Sequence, residues 1–570
     1  MNGRTVADSA KLTGLVVSHG LQSLWSRAVR PLRRVAARQV GAPVRLLIAP
    51  QDIRTADPTV AADIYAGYFI FDGKTINTHG RSPFGLEPPS AGWAEALSGF
   101  GWLRHLRAAD TSLARVNARA LVSDWIAQLG RVRQGPAWAP RVVVERLLSW
   151  LSQSPLILDG ADGVFYRQFM RSIGRQAAFL QDALRSGLHG EARLFAAIAL
   201  AEIGLCAEGF GRLRRQGTRV LIDEIGVQIL ADGGHVSRNP GILVDLLLDL
   251  LPLRQAFVAA GIATPPALLN AVDRMMPMVR TFRHGDGSLA LFNGMSLTRH
   301  DALATILAHD DVSGAPLVNA PYSGYQRLES GPVVIIVDTG RPPPVAFAHQ
   351  AHAGTLGFEL SIGAQRVIVN CGAPVSGGAA VREAARATAA HSTLVLGASS
   401  SSLFASTTRF GRWLDGVLYA GPSHVPVRRS DIAGSTTIDT SHDGYLGRFG
   451  FVHRRQLTLI GDDRLEGRDI LFEPSDGRAR KALRPQAFTL RFHLHYALRV
   501  QMIKEGIATV LALPDGDLWL FEAGGLPIGI EESIFFAGSP GPRRIEQLVV
   551  RSTTDEGTTV NWSLSRRDSN

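Results

Sequence analysis

The apolar residues of this 570-residue chain change period once. Up to about residue 310 they recur at helical spacing, and after about residue 325 they alternate. Over 111–132, Leu113, Val116, Ala120, Leu121, Trp125 and Ile126 fall near one helical face. Further helices are predicted at 140–153, 164–186, 191–210, 212–231, 241–260 and 265–282, most of them separated by Gly or Pro. Short connections between helices of similar length suggest antiparallel hairpins, in a bundle or a closed ring of helix pairs. In the second half 332–338 is a short apolar run. Leu356, Phe358, Leu360 and Ile362 alternate with Gly357, Glu359 and Ser361, and Phe488, Leu490, Phe492 and Leu494 with Thr489, Arg491 and His493. Many short strands with turn signals such as Asp515-Gly516 predict a large antiparallel sandwich. The serine run at 399–402 reads as an exposed loop. The expected organisation is a leader (1–40), a helical domain (41–320) and a sandwich (321–570).

A net charge of +10 suggests an anionic partner. The leader alone carries +6, so the body is not a strongly basic nucleic-acid binder, and no nucleic acid is expected as partner. Leu21, Leu24, Val29 and Leu32 interleave with the leader's arginines, which fits a basic amphipathic helix. Such a helix packs on the body or makes a peripheral membrane contact. The strongly apolar run 194–207 contains Glu202 and spans 14 residues. A bilayer needs roughly 20. It reads as a buried core helix, and no transmembrane segment or cleaved signal peptide is evident. Two cysteines, Cys206 and Cys371, exclude a disulfide scaffold and a four-thiolate zinc site.

No phosphate-cradling or dinucleotide loop is present. His235 lies in the polar stretch 232–240 between two helical runs, where a rigid scaffold can present side chains to a cleft. Ser237 or Asn239 could equally cap the helix that Pro240 opens. His352, Asn370 and His391 mark three strand ends that converge if those strands are neighbours. Imidazoles suit zinc, but asparagine is a weak donor, and sheet-edge residues are the plainer reading. His493 and His495 share one face with Arg491 at period two, which reads as a polar outer face.

Residues 347–360 (FAHQAHAGTLGFEL) and 386–393 (RATAAHST) resemble the heparinase II/III-like polysaccharide lyases. Ser323-Gly324-Tyr325, Asp443-Gly444-Tyr445 with His453-Arg454-Arg455, and Arg491-Phe492-His493-Leu494-His495 extend the resemblance. Asp232-Gly233-Gly234-His235 and the stretch 286–293 carry it into the helical half, so that it covers roughly 110–565. It implies an α+β chain in which an incomplete (α/α) toroid precedes an antiparallel β-sandwich. It also implies β-elimination on an acidic, uronic-acid-containing polysaccharide. Such a site neutralises the uronate carboxylate, removes the C5 proton and protonates the leaving oxygen. The resemblance puts His235, Asn239 and His352 in catalytic places, with Arg238, His349 and Gln350 around the substrate, and a junction tyrosine, Tyr325 or Tyr322, could take the place of the family's tyrosine. Some relatives hold a structural zinc at the places of His352, Asn370 and His391. The resemblance implies the cell envelope or periplasm, with the cytoplasm as the alternative because no clear export signal is evident. Three positions depart from the pattern. Gln350 stands where the family's first, catalytic histidine falls, Asn370 replaces an aspartate, and the toroid tyrosine falls near Phe292. A non-catalytic glycan-binding or envelope-assembly protein on the same fold is therefore the alternative to a lyase.

Overall fold

The computed structural model describes residues 8–18, 20–21, 41–310, 314–408, 410–411, 413–474, 485–539 and 541–567. Helices occupy the first half where the helical period predicts them: Ser112–Gln128, Pro140–Ser152, Gly163–Arg185, Glu191–Cys206, Gly211–Gln228, Pro240–Ala259 and Pro266–Thr281. The apolar run around Glu202 becomes the Glu191–Cys206 helix, buried from Leu194 to Cys206. It lies close against Gly211–Gln228 because both helices carry glycine at the contact. A Cβ on Gly204 would sit 2.4 Å from Arg214 Cα, and one on Gly217 would sit 2.5 Å from Ala201 N. Among the described residues, no helix is long and apolar enough to cross a membrane.

Two large antiparallel sheets and one two-stranded ribbon, Leu403–Phe404 with Leu418–Ala420, form the second half, and neither large sheet closes. In the first sheet the order runs Ile528–Phe535, Arg543–Thr553, Ala487–Leu494, Gln365–Val369, Phe358–Ile362, Val333–Asp338, Tyr325–Ser330, Asn319–Ala320, with Leu394–Leu396 paired to Ala487–Leu494. The second holds eight strands between Val427–Ile432 and Arg499–Ile503. Val333, Ile335 and Val337 point into the core between the sheets, while Val334 and Ile336 join the core of the helical half. The strand is thus buried on both faces, which is why 332–338 reads as a continuous apolar run rather than an alternation.

That sandwiching corrects two expectations. His493 is not on an outer face: it is 1% exposed, on the side of the first sheet opposite the inter-sheet core. Its Nε2 lies 3.0 Å from Ala389 O and its Nδ1 2.8 Å from Ser533 Oγ, so a polar side chain is buried with both nitrogens satisfied. Nor are 399–402 simply an exposed loop. Ser401 and Ser402 are buried, and Ser401 N donates to Thr388 Oγ1 at 2.9 Å. Both cysteines are free and buried.

Of the leader, residues 8–18 are helical, and Leu12, Leu15 and Val16 pack against Ala405, Leu414, Leu418 and Tyr419 of the sandwich half. Leu24, Val29 and Leu32, which complete the expected amphipathic face, lie outside the described residues.

Candidate functional site

The stretch after the Gly211–Gln228 helix turns sharply. Gly233, at φ +84°, passes so close to the neighbouring helix that a Cβ would lie 1.9 Å from Arg274 O, so only glycine fits. The loop then bonds back to its own helix, Val236 N to Gln228 O at 2.8 Å. Asn239 caps the next helix: its Oδ1 accepts from Gly241 N at 2.8 Å, and Pro240 follows at the first helical position. The same Asn239 donates through Nδ2 to Gln350 Oε1 at 2.9 Å, joining the helical and sheet halves. Gly294 makes room for this contact, since a Cβ there would sit 2.8 Å from Gln350 Cβ.

The other sequence-derived candidates are brought near this junction but are occupied. His235 is 1% exposed, and burial pushes its pKa down to about 3. Ser237 N donates to its Nδ1 and its Nε2 lies 3.1 Å from Gln228 Oε1, so the ring is neutral and holds the loop. Arg238, at φ +63°, donates to the carbonyls of Ser323, Gly324 and Arg341 and pairs with Asp338 at 2.6 Å. Its guanidinium lies 4.7 Å from the Tyr325 ring centre. Tyr325 is fully buried; its hydroxyl donates to Arg238 O at 2.6 Å and accepts from Asn293 Nδ2 at 2.9 Å. Burial raises its pKa well above the usual phenol value. Together these residues fasten the two halves. His349 is half-exposed, 3.8 Å from Asp415, with its pKa lowered mainly by desolvation.

His352, Asn370 and His391 do converge. His391 Nδ1 lies 2.9 Å from Ala387 O and so donates, which leaves its Nε2 to accept from His352 Nδ1 at 3.1 Å. Burial holds both imidazoles neutral, driving His352 well below its ordinary pKa. Asn370 Oδ1 already accepts from Ser392 N at 3.0 Å. The donor set does not fit zinc: two imidazoles bond to each other, and the third position is a neutral amide committed elsewhere. No cluster of three or more His, Cys, Asp or Glu suited to a metal occurs among the described residues.

Beside the Asn239–Gln350 contact opens a cleft of about 540 Å³. Of the candidates, Asn239 and Gln350 line it; His235, His352, Tyr325, Arg238 and His349 do not. Its walls carry Arg54, Arg104, Arg141 and Arg299 with Asp52, Glu145, Glu202, Asp245 and Asp249. Arg54 pairs with Asp249 at 2.5 Å and with Asp52 at 3.4 Å, Arg141 with Glu145 at 3.2 Å, and Arg299 with Asp245. Two groups are left over. Arg104 donates to the carbonyls of Thr55 and Gly101 and has no carboxylate partner among the described residues. Glu202, 2% exposed, makes no hydrogen bond or ion pair among the described residues, and burial with Asp249 nearby raises its pKa to about 8, keeping it protonated at neutral pH. Arg141 Nη1 is a buried donor without a hydrogen bond, although it faces Asp249 at 3.9 Å. Sequence reading missed this set because arginines scattered over 250 residues form no motif. The one available signal was Glu202 inside the otherwise apolar run 194–207.

This geometry sits on a known scaffold. Residues 313–563 match the family described as heparinase II/III-like, C-terminal. The match covers the sheet half, and the chain as a whole shares its fold, helices first and antiparallel sheets second, with solved heparinase structures. Heparan sulfate lyase HepC from Pedobacter heparinus superposes with a TM-score of 0.61 over 95% of this chain and 88% of its own, at 16% identity. Heparinase III gives a TM-score of 0.68 over 88% and 80%, at 14% identity. FtsZ-localized protein C of Caulobacter vibrioides (strain NA1000 / CB15N) is 29% identical over 538 residues, 92% of this chain and 91% of that protein.

Proposed function

We propose that this protein is a glycan-binding member of the lyase fold that receives an acidic saccharide in the toroid cleft without β-elimination. The observation that carries this is the lining: among the described residues, no histidine, tyrosine or lysine lies around the cleft. Elimination needs a base at the C5 proton and an acid at the leaving oxygen, each within hydrogen-bond reach. Glutamine occupies the family's histidine position and does not act as a base. Binding needs less. Arg104, held by two backbone carbonyls but by no carboxylate among the described residues, can receive a uronate carboxylate, Arg141 Nη1 offers a donor, and Glu202 offers its proton to a sugar oxygen. The relative named as FtsZ-localized is similar over both halves, so the setting proposed is envelope assembly alongside FtsZ. The basic leader serves there as a peripheral contact with an anionic membrane. A lyase reading keeps one point in its favour, since protonated Glu202 could serve as the acid for a departing oxygen.

Calorimetric titration with heparan sulfate, hyaluronan, alginate and polygalacturonate oligosaccharides, run beside ultraviolet detection of the unsaturated product, separates the readings. Binding without product is expected, and Arg104→Ala should weaken it about tenfold or more. Product absorbance on any of these polymers would overturn the non-catalytic reading, and absence of both binding and product would remove the glycan altogether.

A further inference from the structure

A second concavity lies away from the cleft and shares no lining residue with it. It measures about 370 Å³ and runs between the Gly211–Gln228 helix and the end of Pro240–Ala259 with its following turn. Phe257, Ile222, Ile262 and Pro265 give it apolar walls, while Arg214, Arg215 and Arg219 line its polar side. No ion pair or hydrogen bond engages these three side chains among the described residues, and Asp223 is the one carboxylate of the lining. Thr218 Oγ1, also lining it, is buried without a hydrogen-bond partner.

The placement of the arginines is unfavourable for the isolated protein. Gly211–Gln228 has no side-chain cap and no acidic residue in its first turn. Arg212, Arg214 and Arg215 instead crowd the positive end of the helix dipole, where anions belong. A negatively charged partner relieves both the dipole and the mutual repulsion. The edge is also held stiffly, because the glycine contact at Gly204 pins the backbone of Arg214. A rigid basic rim around an apolar hollow selects among anions. A lipid surface is flat and does not enter a hollow of this size, whereas one or two apolar side chains do.

We infer that this groove is a docking site for an acidic peptide segment of a partner protein, anchored by an apolar residue between Phe257 and Ile222 and flanked by carboxylates on Arg215 and Arg219. The probe is a fluorescein-labelled peptide, EEDLFDEE, titrated into the full chain and followed by anisotropy. Micromolar binding is expected, weakening as salt rises. Arg215→Glu combined with Arg219→Glu should weaken it at least about tenfold, since both side chains are exposed and each reversal turns attraction into repulsion. Ala263→Trp, which fills the hollow, should do the same without changing any charge. A peptide with Gly-Ser in place of Leu-Phe should bind more weakly than the parent. Circular dichroism confirms that the variants fold. Equal affinity of the charge-reversed and parent proteins would overturn the proposal. So would failure to bind the peptide together with sedimentation on phosphatidylglycerol vesicles that the double variant loses, which would make the groove a lipid site.

Discussion

Buried imidazoles and one buried carboxyl set opposite limbs of this protein's pH dependence. Burial depresses His235 and His493 to about 3 from 6.5, so each stays neutral in the folded chain where the unfolded chain takes up a proton. Their contribution is present above 6.5 and lost as pH falls toward 3, on the order of 1–2 kcal/mol per histidine by pH 5. The urea midpoint should therefore drop between pH 7.5 and pH 5; an unchanged midpoint would mean that these rings are charged when folded. Glu202 works the other way. Its pKa is raised from 4.5 to about 8, so the folded state holds a proton that the unfolded state releases, and stability is lost as pH rises through that window. Glu202→Gln is expected to raise the urea midpoint at pH 8 by the equivalent of about 1–3 kcal/mol, because the amide carries no such penalty. A fall in the midpoint would instead show a charged, paired Glu202.

At the scale of elements, periodicity located the helices to within a few residues because a helix that buries one stripe must repeat it. It failed where a face was covered by something distant in sequence. The side of the Ala487–Leu494 strand that carries His493 reads as polar, yet Ser533 and Ala389 meet that histidine and shut out water. Similarly, nothing local marks Gly204 and Gly217 as contact residues. Their role comes from the crossing of two helices, and it predicts that Gly217→Ala costs about 1–3 kcal/mol by forcing the backbones apart. Thermal unfolding checks this; an unchanged Tm would mean that the crossing has room for a methyl group.

At the scale of the molecule, the Arg238–Asp338 pair with Tyr325 and Asn293 joins the helical half to the first sheet. Asp338→Asn leaves a buried guanidinium without its charge partner, a change that costs about 3–5 kcal/mol in comparable buried pairs. Limited proteolysis should then cut between the two halves, and resistance equal to the parent's would assign the joint to other contacts. Zinc assay of purified protein should find less than about a tenth of an equivalent, given the mutual hydrogen bond of His352 and His391. A full equivalent would mean that the two rings separate to take the metal.

The sequence by itself determined the order of the architecture, helices and then sheets, because hydrophobic period is written locally along the chain. It also supplied the ordered motifs that point to the lyase family, and the substitutions at Gln350, Asn370 and Phe292. The tertiary structure decided what those residues do. By residue type His235 and Tyr325 look catalytic and Arg238 looks substrate-binding, but burial and committed hydrogen bonds make them fasteners. The cleft is built from arginines and a glutamate contributed by separate elements, each unremarkable alone. Charge, burial and partnering are properties of the assembled neighbourhood, and no local pattern encodes them.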